Sequence, residues 1–327
     1  MPAPLTAPVA RAPAPPSAVL AAAMEAARRY AHASRATSTW RAYRADWGAF
    51  QRWCEAAGVA ALPATPHTVA AFIAAEAESG KAPSTLTRRL AAIRLVHRGA
   101  QLASPHDAIE VSEVLQGVRR SRETPPVQKK AARDTDLRRM VDTVRPQCAR
   151  GRRDRALLLF GFAGAFRRSE LVALDCHHLE EAEGGLKIHI GRSKTDQEGK
   201  GRTIAIPVVP GSKYCPVQAV KDWLTAAEIK EGPVFRRMRP NDKVGATRLS
   251  AHSVALIVKE HAGRAGLDAE LFSGHSLRRG FLTSAAENGA TIWKMADQSG
   301  HKSLDVLRKY VEEANLFDDH AGADLLK

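Results

Sequence analysis

The stretch that most limits the possible folds of this chain is residues 154–165, DRALLLFGFAGA. Past its first two residues it is apolar on every side, and a helix apolar all round is a buried one. Other elements must therefore enclose it. It runs straight into FRRSELVAL, so charge is delivered to the end of a buried helix. Unpaired buried charge is costly, and this cluster needs partners or a task. Arg167 and Glu170 stand three apart and can pair on one helix face, which is the purely structural reading.

The enclosing elements are legible on either side. Thr135 is placed to cap a helix holding Leu137, Met140, Val141 and Val144. Helices are also expected over residues 216–226 and 250–265, the second with Gly266 as its stop. Between the buried stretch and residues 216–226 the apolar period changes from helical to alternating. Leu186, Ile188 and Ile190 alternate with Lys187 and His189, and residues 203–206 alternate again, so two strands are expected. The polar turn between them, GRSKTDQEGKG, carries Lys194 at its near end. A lysine in a hairpin is ordinary by itself. The class that follows is mainly α with a small antiparallel β-sheet in the second domain, an α+β fold.

The first third reads as helical throughout. Trp40, Tyr43, Trp47, Phe50 and Cys54 recur at spacings of three and four on one helix face, with Thr37 or Ser38 as cap and Gly58 as stop. Further helices are expected over residues 67–77, over TLTRRLAAIRLVHR with Ser84 as cap, and over residues 108–118. Thr85, Thr87, Arg88 and Arg89 cluster at the start of the third of these helices, an arrangement suited to DNA phosphates or to a solvated face. Lys259 and Arg264, in the later helix over residues 250–265, are placed to face a groove. The resulting organisation is a disordered Pro/Ala-rich lead-in over residues 1–20, a helical domain over 21–118, a basic linker over 119–134, and a second domain over 135–327.

The formal net charge of +14 is the footprint of a polyanion partner, nucleic acid first. The excess is larger still without the residues after Tyr310, which hold five acids against one lysine. Four cysteines lie far apart with no C-x-x-C, so neither a disulfide framework nor a zinc site is implied and a reducing cytoplasm fits. No apolar run reaches bilayer length, and the N-terminus lacks the order of a signal peptide, so no membrane partner is expected.

Residues 274–310 are denser in chemistry than a core requires. They open with GHSLRRG, so that His275 and Arg278 stand three apart, and they close with SGHKSLDVLRKY, so that His301 precedes Tyr310 by nine. His-x-x-Arg alone carries no weight, because the chain has four: His32/Arg35, His189/Arg192, His261/Arg264 and His275/Arg278. Only the last is followed in the same region by a second histidine nine residues before a tyrosine, His301 and Tyr310. FRRSEL, GRSKT, GHSLRRG and SGHKSLDVLRKY, taken in order, resemble the signature of the tyrosine site-specific recombinases, the phage-integrase family. The resemblance covers about residues 35 to 320, and the two-domain layout is similar to that of Cre and the Xer recombinases. In Cre a tryptophan stands at the place of His301.

The resemblance implies a two-domain DNA clamp with an N-terminal SAM-like core-binding domain. It implies that Arg167, Lys194, His275, Arg278 and His301 are catalytic, that Glu170 supports them, and that Tyr310 is the nucleophile. Two guanidiniums suit the nonbridging oxygens of a phosphodiester, which a lysine would not hold bidentately. A phenol ordinarily titrates at about pH 10, so it needs a base and a cationic field to attack, and His275 is the base expected. Lys194 is the acid for the leaving 5′-oxygen. The family chemistry runs through a 3′-phosphotyrosine and a Holliday junction, with no cofactor, no metal and no ATP. Its partner is double-stranded DNA with inverted-repeat half-sites, bound by a homotetramer joined through the C-terminal helix, in the cytoplasm at the nucleoid. Two alternatives share much of this pattern: a type IB topoisomerase-like enzyme, and a DNA-binding protein whose site has decayed.

Overall fold

The computed structural model describes residues 17–121, 129–191 and 201–315. Its contacts divide into two compact units, Met1–Pro126 and Val127–Lys327.

The first unit is all helical: α1 (Ala18–Ala33), α2 (Thr37–Ala56), α3 (Pro66–Glu78), α4 (Pro83–Gly99) and α5 (Ile109–Ser121). Phe50 and Cys54 of α2, Val69, Phe72 and Ile73 of α3, Leu86, Leu90 and Ile93 of α4 and Val111 of α5 form its core. The α2 stripe thus points inward at its C-terminal end, while Trp40, Tyr43 and Trp47 are only half-buried. Two caps differ from expectation. Ala36, not Thr37 or Ser38, precedes α2, and Ala82, not Ser84, precedes α4. In α4 the first helical residue is Pro83, whose ring presets φ and which has no N–H to satisfy. The lead-in is also shorter than 20 residues, since α1 begins at Ala18 with Ser17 accepting from the Leu20 N–H. None of the residues of α1 is buried, so alanine's helix propensity rather than packing accounts for it.

The second unit encloses the apolar stretch as its pattern required. It comprises α6 (Asp134–Asp142), α7 (Ala149–Ala163), α8 (Arg168–Ala173), β1 (Leu179–Ala182), β2 (Gly185–Ile190), β3 (Arg202–Pro207), α9 (Pro216–Ala226), β4 (Arg236–Met238), β5 (Val244–Arg248), α10 (Ala251–Arg264), α11 (Gly274–Glu287), α12 (Ile292–Ser299) and α13 (Asp305–Ala314). Leu157, Leu158, Leu159 and Phe160 of α7 are buried in one core with α6, α9, α10 and α11. At Gly161 an added Cβ would lie 3.0 Å from Leu171 and 3.2 Å from Leu277, which brings α7 close to both α8 and α11. The helix starts at Ala149, five residues before Asp154, and Asp242 from the β4–β5 turn accepts the N–H groups of Ala149 and Arg150.

The sheet is the antiparallel meander β1-β2-β3, with β4 and β5 as a separate pair. Leu186, Ile188 and Ile190 are buried while Lys187 and His189 are exposed. Ile190 pairs with Arg202, so the hairpin tip and Lys194 lie outside the described residues. The expected linker also divides. Residues 119–121 continue α5, whereas residues 129–134 lie along α11. There Ala132 is fully buried and donates its N–H to the Ser276 carbonyl at 3.0 Å, and Lys130 donates to Leu271 at 2.7 Å.

Candidate active site

The turn after α7 delivers Arg167. Ala165 sits at φ +46°, an uncommon conformation for a residue with a side chain. Its carbonyl thereby accepts from Nη1 of Arg278 at 2.6 Å. Arg167 follows as the residue before α8. Glu170, on the first turn of α8, is buried and spends both carboxylate oxygens. Oε1 accepts from Arg167 Nη1 at 2.6 Å, and Oε2 accepts from the Arg167 backbone N–H at 2.9 Å and from Arg202 Nη2 at 3.2 Å.

The helix α11 supplies His275 and Arg278 one turn apart. Ser273 and Ser276 cap its start reciprocally, which fixes the approach of His275. Arg278 is 1 % exposed, an unusual degree of burial for a guanidinium. Burial first and Arg167 second pull its pKa down to about 10, against the pull of Glu170. Tyr310 also acts on Arg278 electrostatically, so the phenol lies within its field. Tyr310 is half-buried on α13, in the small apolar cluster of Leu282, Ala286, Met295 and Leu307.

His301 follows α12. The helix ends in the left-handed residue Gly300. Nη2 of Arg278 stands 3.2 Å from Nδ1 and 3.3 Å from Nε2 of His301. Ser299 Oγ donates to the Met295 carbonyl at 2.6 Å, so it accepts from His301 Nδ1–H at 2.7 Å. That leaves Nε2 as the lone-pair nitrogen of a neutral ring. Burial, then Arg278, Arg167, His275 and Arg202, bring the pKa of His301 down to about 4. Crowding by the protein, then Arg278, Arg279, Arg168 and Arg167, also lower that of His275, which keeps a solvent-facing edge. Both imidazoles are thus held toward their neutral forms by a field that favours anions.

Arg167, Glu170, His275, Arg278, His301 and Tyr310 therefore belong to one locus. Lys194 lies outside the described residues, and the candidates for DNA contact have partners within their own units. In the first unit Arg88 forks onto Asp46 at 2.7 and 3.0 Å. Arg89 turns inward to Asp46 and Glu76 with only 12 % of its side chain exposed. Thr87 donates to the Pro83 carbonyl and accepts from Arg119, and Thr85 is half-buried. In the second unit Lys259 pairs with Glu270 and Arg264 with Glu260. Sequence reading missed Arg202, Gln298 and Ser299. Arg202 stands inside the hairpin run GKGR and looks like one more turn cation, and Ser299 differs from other serines only in preceding Gly-His.

Among the described residues no three His, Cys, Asp or Glu side chains gather as a metal-binding group, and no helix is long and apolar enough to cross a membrane.

Residues 131–316 match the Phage integrase family, and residues 30–103 match the Phage integrase, N-terminal SAM-like domain. The chain belongs to the phage integrase family. Within it, the chain is 40 % identical over 298 residues to an "Integrase/recombinase xerD homolog" of Selenomonas ruminantium, covering 90 % of this chain and 87 % of the relative. It is 29 % identical over 286 residues to the tyrosine recombinase XerD of Bifidobacterium longum, covering 84 % and 86 %. This integrase-family chain is an Xer-like tyrosine recombinase by kinship. The fold agrees with that of the XerH site-specific recombinase bound to palindromic difH substrate, at TM-score 0.59 and 17 % identity over 81 % of this chain and 73 % of that one. It agrees also with a lambda integrase dimer bound to a COC′ core site, at 0.56 and 16 % over 87 % and 74 %.

Proposed function

We propose that this recombinase cuts and rejoins DNA through a covalent 3′-phosphotyrosine on Tyr310, with a free 5′-hydroxyl as the other product, and that paired exchanges pass through a Holliday junction. One observation carries this reading. Arg167 and Arg202 pair with a single carboxylate, Glu170, and Arg278 lies within its field, all in a largely buried setting. Such an excess of positive charge is stable only beside an anion, and a phosphodiester supplies it.

Arg167 and Arg278 then hold the nonbridging oxygens, where extra charge develops during in-line attack. His275, kept neutral, takes the phenol proton. In the free site Nε2 of His301 is an acceptor. An arriving phosphate offsets the surrounding arginines, so the ring gains a proton there and donates to an oxygen. Lys194 is the acid for the leaving 5′-oxygen. The phosphotyrosine conserves the energy of the broken bond, so resealing uses no ATP, and the protein groups named above suffice without a metal.

The reading extends to assembly. Two protomers occupy inverted-repeat half-sites and four form the synapse, each lending its residues 316–327 to a neighbour. A largely apolar cavity of about 510 Å³, lined by Leu159, Phe162, Ala163, Pro207 and Phe281 and edged by Arg138 and Lys294, suits a segment rich in leucine and aspartate.

The test uses a duplex selected from a random library by its binding to Tyr310→Phe protein. Wild type and Tyr310→Phe are mixed with it in EDTA and then denatured. A protein–DNA adduct in wild type alone is expected. An adduct in neither, with tight binding in both, overturns covalent catalysis by Tyr310, and an adduct that needs magnesium overturns the metal-free mechanism.

A further inference from the structure

Arg202 is the first residue of β3 and joins two parts of the site, α8 and the end of α12. Its Nη2 donates to Glu170 Oε2 at 3.2 Å, and its Nη1 donates to the Gln298 carbonyl at 2.8 Å and reaches the Asp297 carbonyl at 3.5 Å. One guanidinium therefore ties the acid that holds Arg167 to the last turn of α12, close before His301. The side chain is 19 % exposed, and burial is the first cause lowering its pKa, with Arg167 adding to it against Glu170. Its Nε–H is buried with no hydrogen-bond partner among the described residues. An arginine kept only for stability would be poorly placed here, beside like charges and with one donor unspent.

Gly300 supplies the space. An added Cβ there would lie 2.6–2.8 Å from Nη1, Cζ and Nε of Arg202. The glycine of the SGH run thus serves two ends. It turns the chain at φ +66° toward His301, and it admits the guanidinium beneath that turn.

We propose that Arg202 is a positioning residue of the phosphate cradle. By bridging Glu170 to the Gln298 carbonyl it fixes Arg167 and His301 relative to each other, from the strand that carries the Lys194 hairpin. The bridge needs two separated donors on one rigid plane, which an ammonium lacks. This inference rests on the recombinase reading, since the cradle has a task only if a phosphodiester enters it.

The experiment measures single-turnover adduct formation on the duplex selected with Tyr310→Phe protein. It compares wild type, Arg202→Ala, Arg202→Lys, Glu170→Gln and the Arg202→Ala/Glu170→Gln double variant. Thermal unfolding and duplex binding are followed on the same samples. Misplacing a catalytic group by about 1 Å costs on the order of 100-fold, and Arg202→Ala is expected to be slowed by that order while folded and binding DNA. Arg202→Lys should recover only a fraction of the rate. The double variant should be no slower than the slower single, because both remove one linkage. A wild-type rate for Arg202→Ala, or a double variant slowed by the product of the two single effects, overturns the inference. If Arg202→Ala is unfolded, Arg202→Lys and Arg202→Gln take its place, and full activity in both overturns it as well. Absence of an adduct in wild type itself is the separate failure of the recombinase reading, and the inference falls with it.

Discussion

At the scale of single residues, the site is built by placing neutral imidazoles among cations. His301 illustrates what that does to stability. Its pKa falls from an ordinary 6.5 to about 4, so between those values the folded protein binds fewer protons here than the unfolded chain. A histidine depressed in this way contributes stability that is present above the unfolded pKa and is lost as pH falls toward the folded one. His275 is lowered in the same direction. Urea midpoints measured at about pH 7 and about pH 4.5 should therefore drop more in wild type than in His301→Gln, which keeps a polar side chain without the titration. Equal drops would show that His301 is not held neutral. The identity of these residues was legible in the sequence because each lies in a compact motif. Their states were not. The tautomer of His301 depends on Ser299 donating to Met295, and the role of Glu170 depends on Arg202, thirty-two residues away, a pairing that only the fold creates.

At the scale of elements, apolar periodicity located most helices and the two strands flanking the hairpin, since burial of one face is what periodicity records. It missed β4 and β5, whose sequences RRM and VGATR carry no apolar alternation and whose pairing is local. It also read residues 129–134 as connector, because basic composition describes exposure and not backbone contacts. That segment is set against α11 by Gly280. A Cβ at position 280 would collide with the backbone of Ala132, which is fully buried. Since α11 also carries His275 and Arg278, Gly280→Ala forces either the segment or the helix to shift. A loss of about 1–3 kcal/mol is expected for such overpacking, and adduct formation should slow with it. Denaturant unfolding gives the first quantity. A variant as stable as wild type would mean that residues 129–134 yield freely and do not brace the helix.

At the scale of the whole molecule, charge and exchange of the C-terminal segment make separable predictions. On the proposed reading the basic excess supplies half-site affinity, which then falls linearly in log–log form with salt at about −0.9 per phosphate neutralised. Residues 316–327 contain three aspartates and one lysine, so they add nothing to that attraction. Deleting them should leave single-protomer binding and its salt slope nearly unchanged. If their task is instead to enter a neighbour's cavity, deletion should abolish cooperative filling of the second half-site and the synapse. Substituting Ala163→Trp on the cavity wall should do the same from the other side, with the segment intact. Mixing the two variants separates exchange from self-docking. A head-to-tail contact can form once between a tail-deleted protomer with an open cavity and a cavity-filled protomer with a tail, but it cannot close into a ring. The mixture should therefore recover cooperative pairs on an inverted repeat and no tetramer, as read by native gel and by light scattering with DNA. If the tail-deleted protein alone forms tetramers, or if the mixture recovers no pairs although each variant binds a half-site, exchange between neighbours is wrong and residues 316–327 serve their own protomer.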